Sequence, residues 1–191
     1  MNSSYPFPIG IKPLWLKPLD LPIPDARLRN WLLDTGSSTE RLQAHCRDFQ
    51  VQVIGQRQAE ISLEEMAQLK SELQSINPSD WQVREVLLWG DGQPWVFARS
   101  IIPQSLCSAE LAGLGNQALG KLIFNDVRFK RFPFEITHIP ASTNITQSLR
   151  LHIKQALWGR RSVFKFQDVA MSVAEIFLPN CPAYADIQET Q

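Results

Sequence analysis

The spacing of apolar positions divides this chain into short helices and strand pairs. Residues 81–89 (WQVREVLLW) and 95–102 flank Gly90-Asp91-Gly92 and are rich in aromatic and β-branched side chains, which predicts an antiparallel hairpin. A second hairpin is predicted for 162–166 and 171–178 across Gln167-Asp168, closed by Pro179. Phe49, Val51 and Val53 alternate with polar residues as a half-buried strand. Asp25 can cap a helix to residue 33 whose inner side is Leu28, Trp31 and Leu32. The pairs Ser37/Glu40 and Ser62/Glu65 have capping-box spacing and open helices, one toward Arg47 and one ending before Asn77-Pro78. Further helices are expected at 108–114, 117–124 and 149–157, and a loop or insertion at 140–148. Prolines make 1–24 an extended arm, leaving a single domain at 25–184 and a tail at 185–191. Helices with antiparallel strand pairs and no βαβ alternation give an α+β class.

Two charges interrupt this apolar pattern. Counting by twos places Arg84 with Val86 and Leu88 on one strand face, and Glu175 between Val173 and Phe177 on another. A buried charge needs a partner. Either the two form structural ion pairs, or they serve a small anionic ligand.

Bulk composition narrows the field. The 191 residues carry 19 Lys plus Arg against 19 Asp plus Glu, so no overall field draws in nucleic acid or an anionic membrane. Cys46, Cys107 and Cys181 are odd in number, widely spaced and without a CxxC pair, which fits a reduced cytoplasmic setting. His45, His138 and His152 show no metal-ligand spacing, so no metal site is expected. No apolar run is long enough to span a bilayer, and the N-terminal residues do not read as a signal peptide.

Three local strings were weighed for chemistry. Gly115 to Lys121 matches GxxxxGK, but Leu122 replaces the hydroxyl residue a nucleotide site needs, so helix breaking explains the glycines. A helix starting there still offers free N–H groups to a carboxylate, around Leu119. Trp158-Gly159-Arg160-Arg161 sets two guanidinium groups just before a strand, either as an anion contact or as an ion-paired corner. The basic and aromatic run 128–134 is assigned to core packing rather than to base stacking.

The blocks WLLDTGSSTERL (31–42), VREVLLWGDGQPWVFARSIIP (83–103), ALGKLIF (118–124), LWGRRSVF (157–164) and AEIFLPNCPAY (174–184), in this order, resemble the chorismate pyruvate-lyase family over about 28–184. The resemblance implies one antiparallel sheet of about six strands flanked by helices. It also implies conversion of chorismate to 4-hydroxybenzoate and pyruvate, supplying the aromatic precursor of ubiquinone, with no metal or organic cofactor. Carried over residue by residue, it puts the product-binding arginine at Arg84, a backbone-amide contact at Leu119 and the carboxylate facing the ring hydroxyl at Glu175. Ser38 stands where the family has methionine, implying a contact through backbone or altered packing. Arg84 and Glu175 are then opposite ends of one aromatic site and the catalytic pair; Arg160 and Arg161, from their own position in the sequence, are the candidates for a second anion contact.

A cytoplasmic monomer is expected, with no nucleic-acid partner and no membrane insertion. Helical flaps near Ser38 and at 62–73 are expected to slow product release and so to cause product inhibition. The alternatives are a non-catalytic sensor domain for small aromatic acids, disfavoured by the lack of room for a helix-turn-helix before residue 25, and a protein-interaction domain.

Overall fold

The computed structural model describes residues 5–70, 81–141, 143–151, 153 and 155–184. Seven strands form one antiparallel sheet: β1 (Phe49–Arg57), β2 (Trp81–Gly90), β3 (Gln93–Pro103), β4 (Phe129–Arg131), β5 (Glu135–Ile139), β6 (Leu157–Phe166) and β7 (Val169–Phe177). They run in the order β1-β2-β3-β7-β6-β4, with β5 also on β6. Both predicted hairpins form. At the first turn Asp91 and Gly92 have φ of 48° and 76°, the two left-handed residues a tight β2–β3 connection requires.

Six short helices accompany the sheet among the described residues: α1 (Ala26–Leu32), α2 (Ser38–Gln43), α3 (Leu63–Lys70), α4 (Gln104–Ser108), α5 (Leu119–Asn125) and α6 (Asn144–Ser148). Asp25 caps α1 through Leu28 N–H, and Ser37 caps α2 through Glu40 N–H. Three expectations are corrected. Among the described residues of 149–157 no helix forms, and α6 lies inside the expected loop, its start held by the Thr143 N–H donating to Thr146 Oγ1 at 3.0 Å; Arg150, at φ 55°, then turns the chain away. β6 begins at Leu157, so Arg160 and Arg161 lie within a strand and not before one. The helix expected at 108–114 is instead α4, which starts directly after Pro103.

Period-two alternation sorts the core into two faces. On the first, Leu28, Trp31, Leu32 and Leu42 of α1 and α2 pack on Val86, Leu88, Trp158 and Phe177. Farther along it, Leu106, Leu114, Leu119 and Ile123 pack on Ile102, Phe164 and Met171. On the second face, Ile9, Ile11 and Ile145 cover Leu87, Phe97 and Ile176, while Leu69 of α3 covers Ile101, Val163 and Ala170. Each such buried aliphatic side chain contributes about 2 kcal/mol before entropy is subtracted.

A buried charge network also lies on this second face. Glu85, fully buried, is the cross-strand partner of Arg99, and its Oε1 accepts from Arg99 Nη1 at 2.9 Å. Its carboxylate also accepts the Ile9 and Gly10 N–H groups at 2.7 and 2.8 Å, fastening the N-terminal arm to the sheet. Arg99 Nε reaches Glu65 of α3 at 2.7 Å. The arm continues to Leu16, which exchanges backbone hydrogen bonds with Ile136.

Candidate active site

Between the two clusters of the first face, the sheet floor and helices α2 and α5 enclose a cavity. Two cross-strand rows form its floor. One runs Val86, Ala98, Glu175, Arg160, and the next runs Arg84, Ser100, Val173, Ser162. The alternation expected for Arg84 and Glu175 therefore holds, and both side chains reach one cavity. α2 and α5 close over it tightly: a Cβ on Gly120 would sit 2.9 Å from Thr39 Oγ1, so this glycine is a helix-crossing point. Gly115, at φ 43°, turns the chain just before α5. These two positions account for the glycines of the GxxxxGK string.

Arg84 enters from β2 with no carboxylate beside it. Its Nη1 donates to Gln56 Oε1 at 2.6 Å and its Nη2 to the Gln117 carbonyl at 2.9 Å, while Nε has no partner among the described residues. Burial lowers its hold on the proton, against the opposing influence of Cys107. Such a charge favours an incoming anion. Leu119 opens α5 and lines the same cavity, so its N–H is one of those the helix leaves unbonded.

Glu175 lies across β3 from Arg84, and the two do not touch. Its Oε2 accepts from Arg160 Nε and from Ser38 Oγ, each at 2.8 Å, whereas Oε1 has no partner among the described residues. Ser38 Oγ also accepts from Arg160 Nη2. Ser38 thus enters the site with its hydroxyl bonded to Glu175 itself. Arg160 Nη1 is occupied by the carbonyls of Trp31, Leu32 and Asp34, so this guanidinium pins the α1–α2 connection to the sheet.

Arg160 and Arg161 differ as neighbours in a strand do. Arg161 contributes to the cavity wall, but its guanidinium lies 4.9 Å from the Trp15 ring centroid and its Nε donates to Glu135 at 2.7 Å. Every nitrogen of the Arg160 guanidinium donates within the chain. Within the chain, Arg160 is thus committed to Glu175, Ser38 and the α1–α2 carbonyls, and Arg161 to Glu135.

Arg131 of β4 does present an unpaired charge to the cavity. Its Nε donates to Ser162 Oγ at 3.1 Å and its Nη1 to the Thr35 carbonyl at 3.3 Å. Sequence reasoning missed it, because the surrounding phenylalanines made the run look like core. Arg160 and Glu175 offset each other and Arg161 is paired outside, which leaves Arg84 and Arg131 as the cavity guanidinium groups without a direct ion pair among the described residues. Among the described residues, no three His, Cys, Asp or Glu side chains converge to hold a metal, and no helix is long and apolar enough to cross a membrane.

Comparison with known proteins accords with this geometry. Residues 11–188 match the chorismate lyase family. The chain is 50% identical over 183 residues to the probable chorismate pyruvate-lyase of Pseudoalteromonas atlantica, covering 96% of this chain and 95% of the relative. It is 39% identical over 189 residues to the protein of the same description from Shewanella amazonensis, covering 95% and 96%. Among solved structures, the effector domain of PhnF from Mycobacterium smegmatis is similar with a TM-score of 0.57 at 15% identity, over 77% of this chain and 91% of that one, a likeness of fold alone. With one family matched along nearly the whole chain, and a relative half identical across it, the protein belongs to the chorismate lyase family.

Proposed function

We propose that the protein converts chorismate to 4-hydroxybenzoate and pyruvate in the cavity beneath α2 and α5. The observation that carries this reading is the charge of the cavity. Two guanidinium groups lack a carboxylate there, and chorismate brings two carboxylates.

The ring carboxylate fits Arg84, with the Leu119 N–H as a second donor, and the hydroxyl end of the ring fits Glu175 and Ser38. Arg84 and Glu175 are two strand spacings apart across the sheet and two residues apart along it, roughly 12 Å between Cα atoms, and their side chains line the cavity between, which suits one six-membered ring.

The reaction is an elimination. The ring carbon bearing the hydroxyl loses its hydrogen as a proton, and that electron pair becomes the new ring double bond. The neighbouring carbon–oxygen bond to the enolpyruvyl group then breaks. Enolpyruvate leaves and takes up a proton to become pyruvate. Aromatisation drives the change, and electrons balance within the substrate, so the protein's share is orientation and proton handling. Glu175, with Oε1 unbonded and Oε2 fixed by Arg160 and Ser38, holds the hydroxyl end and handles the proton there.

4-Hydroxybenzoate would retain both end contacts, so product inhibition belongs to this reading, as does a cytoplasmic monomer that supplies the aromatic precursor of ubiquinone without a cofactor. The test is to mix the purified protein with chorismate, without added metal or cofactor, and follow both products. Equal formation of 4-hydroxybenzoate and pyruvate is expected. Binding of 4-hydroxybenzoate without turnover, or no reaction and no binding, would overturn the proposal.

A further inference from the structure

The lyase reading leaves one negative group of chorismate without a partner, the carboxylate of its enolpyruvyl ether. That ether sits on the ring carbon next to the hydroxyl, so with the ring carboxylate on Arg84 the second carboxylate must lie toward Glu175. Arg131 is at that end. Its guanidinium carbon is 3.6 Å from the Phe134 ring centroid, and that of Arg160, the direct partner of Glu175, is 5.1 Å from the same ring.

Its donors are only partly used. Nε and Nη1 hold Ser162 Oγ and the Thr35 carbonyl, but Nη2 has no partner among the described residues. Phe124 and Phe164 also face it, at 5.4 and 5.5 Å, so aromatic surface replaces water and fixes the guanidinium plane. Among the described arginines that are not exposed, Arg84 and Arg131 alone lack an ion-pair partner.

We propose that Arg131 binds the enolpyruvyl carboxylate of chorismate and holds the pyruvyl fragment as it departs. This assignment rests on the lyase reading and adds a two-point division of the anionic substrate. Arg84 takes the carboxylate that remains with the ring, and Arg131 takes the one that leaves. Burial, then the like charge of Arg160, pushes Arg131 down to about 10, so a carboxylate arriving there relieves an unfavourable charge.

The experiment compares ligands with and without the second carboxylate. An inert mimic, 3-(carboxymethoxy)-4-hydroxybenzoate, is titrated by calorimetry into the wild type, Arg131→Gln and Arg131→Lys, alongside 4-hydroxybenzoate, and chorismate turnover is measured for each. In Arg131→Gln, affinity for the mimic and kcat/KM for chorismate should fall by tenfold to a hundredfold, on the order of one charge-assisted hydrogen bond, while 4-hydroxybenzoate affinity changes by less than about threefold. Arg131→Lys should recover part of the loss. Equal weakening of both ligands would mean that Arg131 only tethers Thr35 and Ser162, and no weakening of either would remove it from the site; each result overturns the proposal. A wild type that makes no 4-hydroxybenzoate from chorismate would instead overturn the lyase reading on which it stands.

Discussion

The two oxygens of Glu175 have different surroundings, and the difference defines their tasks. Oε2 is held by Arg160 and Ser38, which fixes the carboxylate in place, while Oε1 has no partner among the described residues and, in the proposed reaction, is the oxygen that meets the ligand. Glu175→Gln should therefore preserve the fold and lower kcat by about 100-fold or more, the range of a lost acid–base group. Arg84→Ala should act on binding instead, weakening chorismate and 4-hydroxybenzoate together by roughly tenfold or more. Steady-state kinetics and product titration of both variants check this, and near-normal constants in both would refute the assignment. Arg84 and Glu175 were legible in the sequence because each interrupts an apolar strand, and the family resemblance set them at two ends of one site. Arg131 was not, since an arginine among phenylalanines reads as core edge until β4 is paired to β6. The Ser38 hydroxyl was hidden for another reason: its partner lies 137 residues away.

Among the elements, α2 carries the proposed gate. Ser38 at its start and the carbonyls of Trp31, Leu32 and Asp34 just before it are all bound to the sheet through Arg160 or Glu175, so a ligand beneath it leaves only when those bonds open. Product release is then expected to limit turnover, and rapid mixing with chorismate should show a burst of one 4-hydroxybenzoate per active site; a linear start would exclude such a gate. The segment 62–73 is the other expected flap. Its described part lies on the second face, where Glu65 binds Arg99 and Leu69 packs on Ile101, and 71–73 fall outside the described residues. A capping box specifies where a helix starts and carries no information about which side of the sheet it will cover. The same limit explains β6: buried on both faces along most of its length, it lacks the alternation that would have shown its early start.

In the whole molecule, the sheet separates two charge systems, a ligand site on one side and the Glu85, Arg99 and Glu65 network on the other. The network is structural by its contacts, as it ties the arm and α3 to the strands. Glu85→Ala would leave Arg99 short of one partner and two backbone N–H groups unbonded in the interior. A loss of about 3–5 kcal/mol is expected, read from the urea midpoint, whereas an unchanged midpoint would show that the arm is held by its apolar contacts alone. The α+β class and the hairpins were legible in local patterns. The seventh strand and the docking of the arm were not, because both depend on which distant strands meet.

Arg84 and Glu85 are adjacent in β2 yet serve opposite sides of the protein. A slip of one residue in that strand would exchange them, turning a negative charge toward the cavity and driving a guanidinium against the amides that Glu85 should receive. Such a misaligned molecule would lose the guanidinium of its cavity and release its own N-terminal residues in a single error, so the register of one strand sets both the charge of the cavity and the docking of the arm.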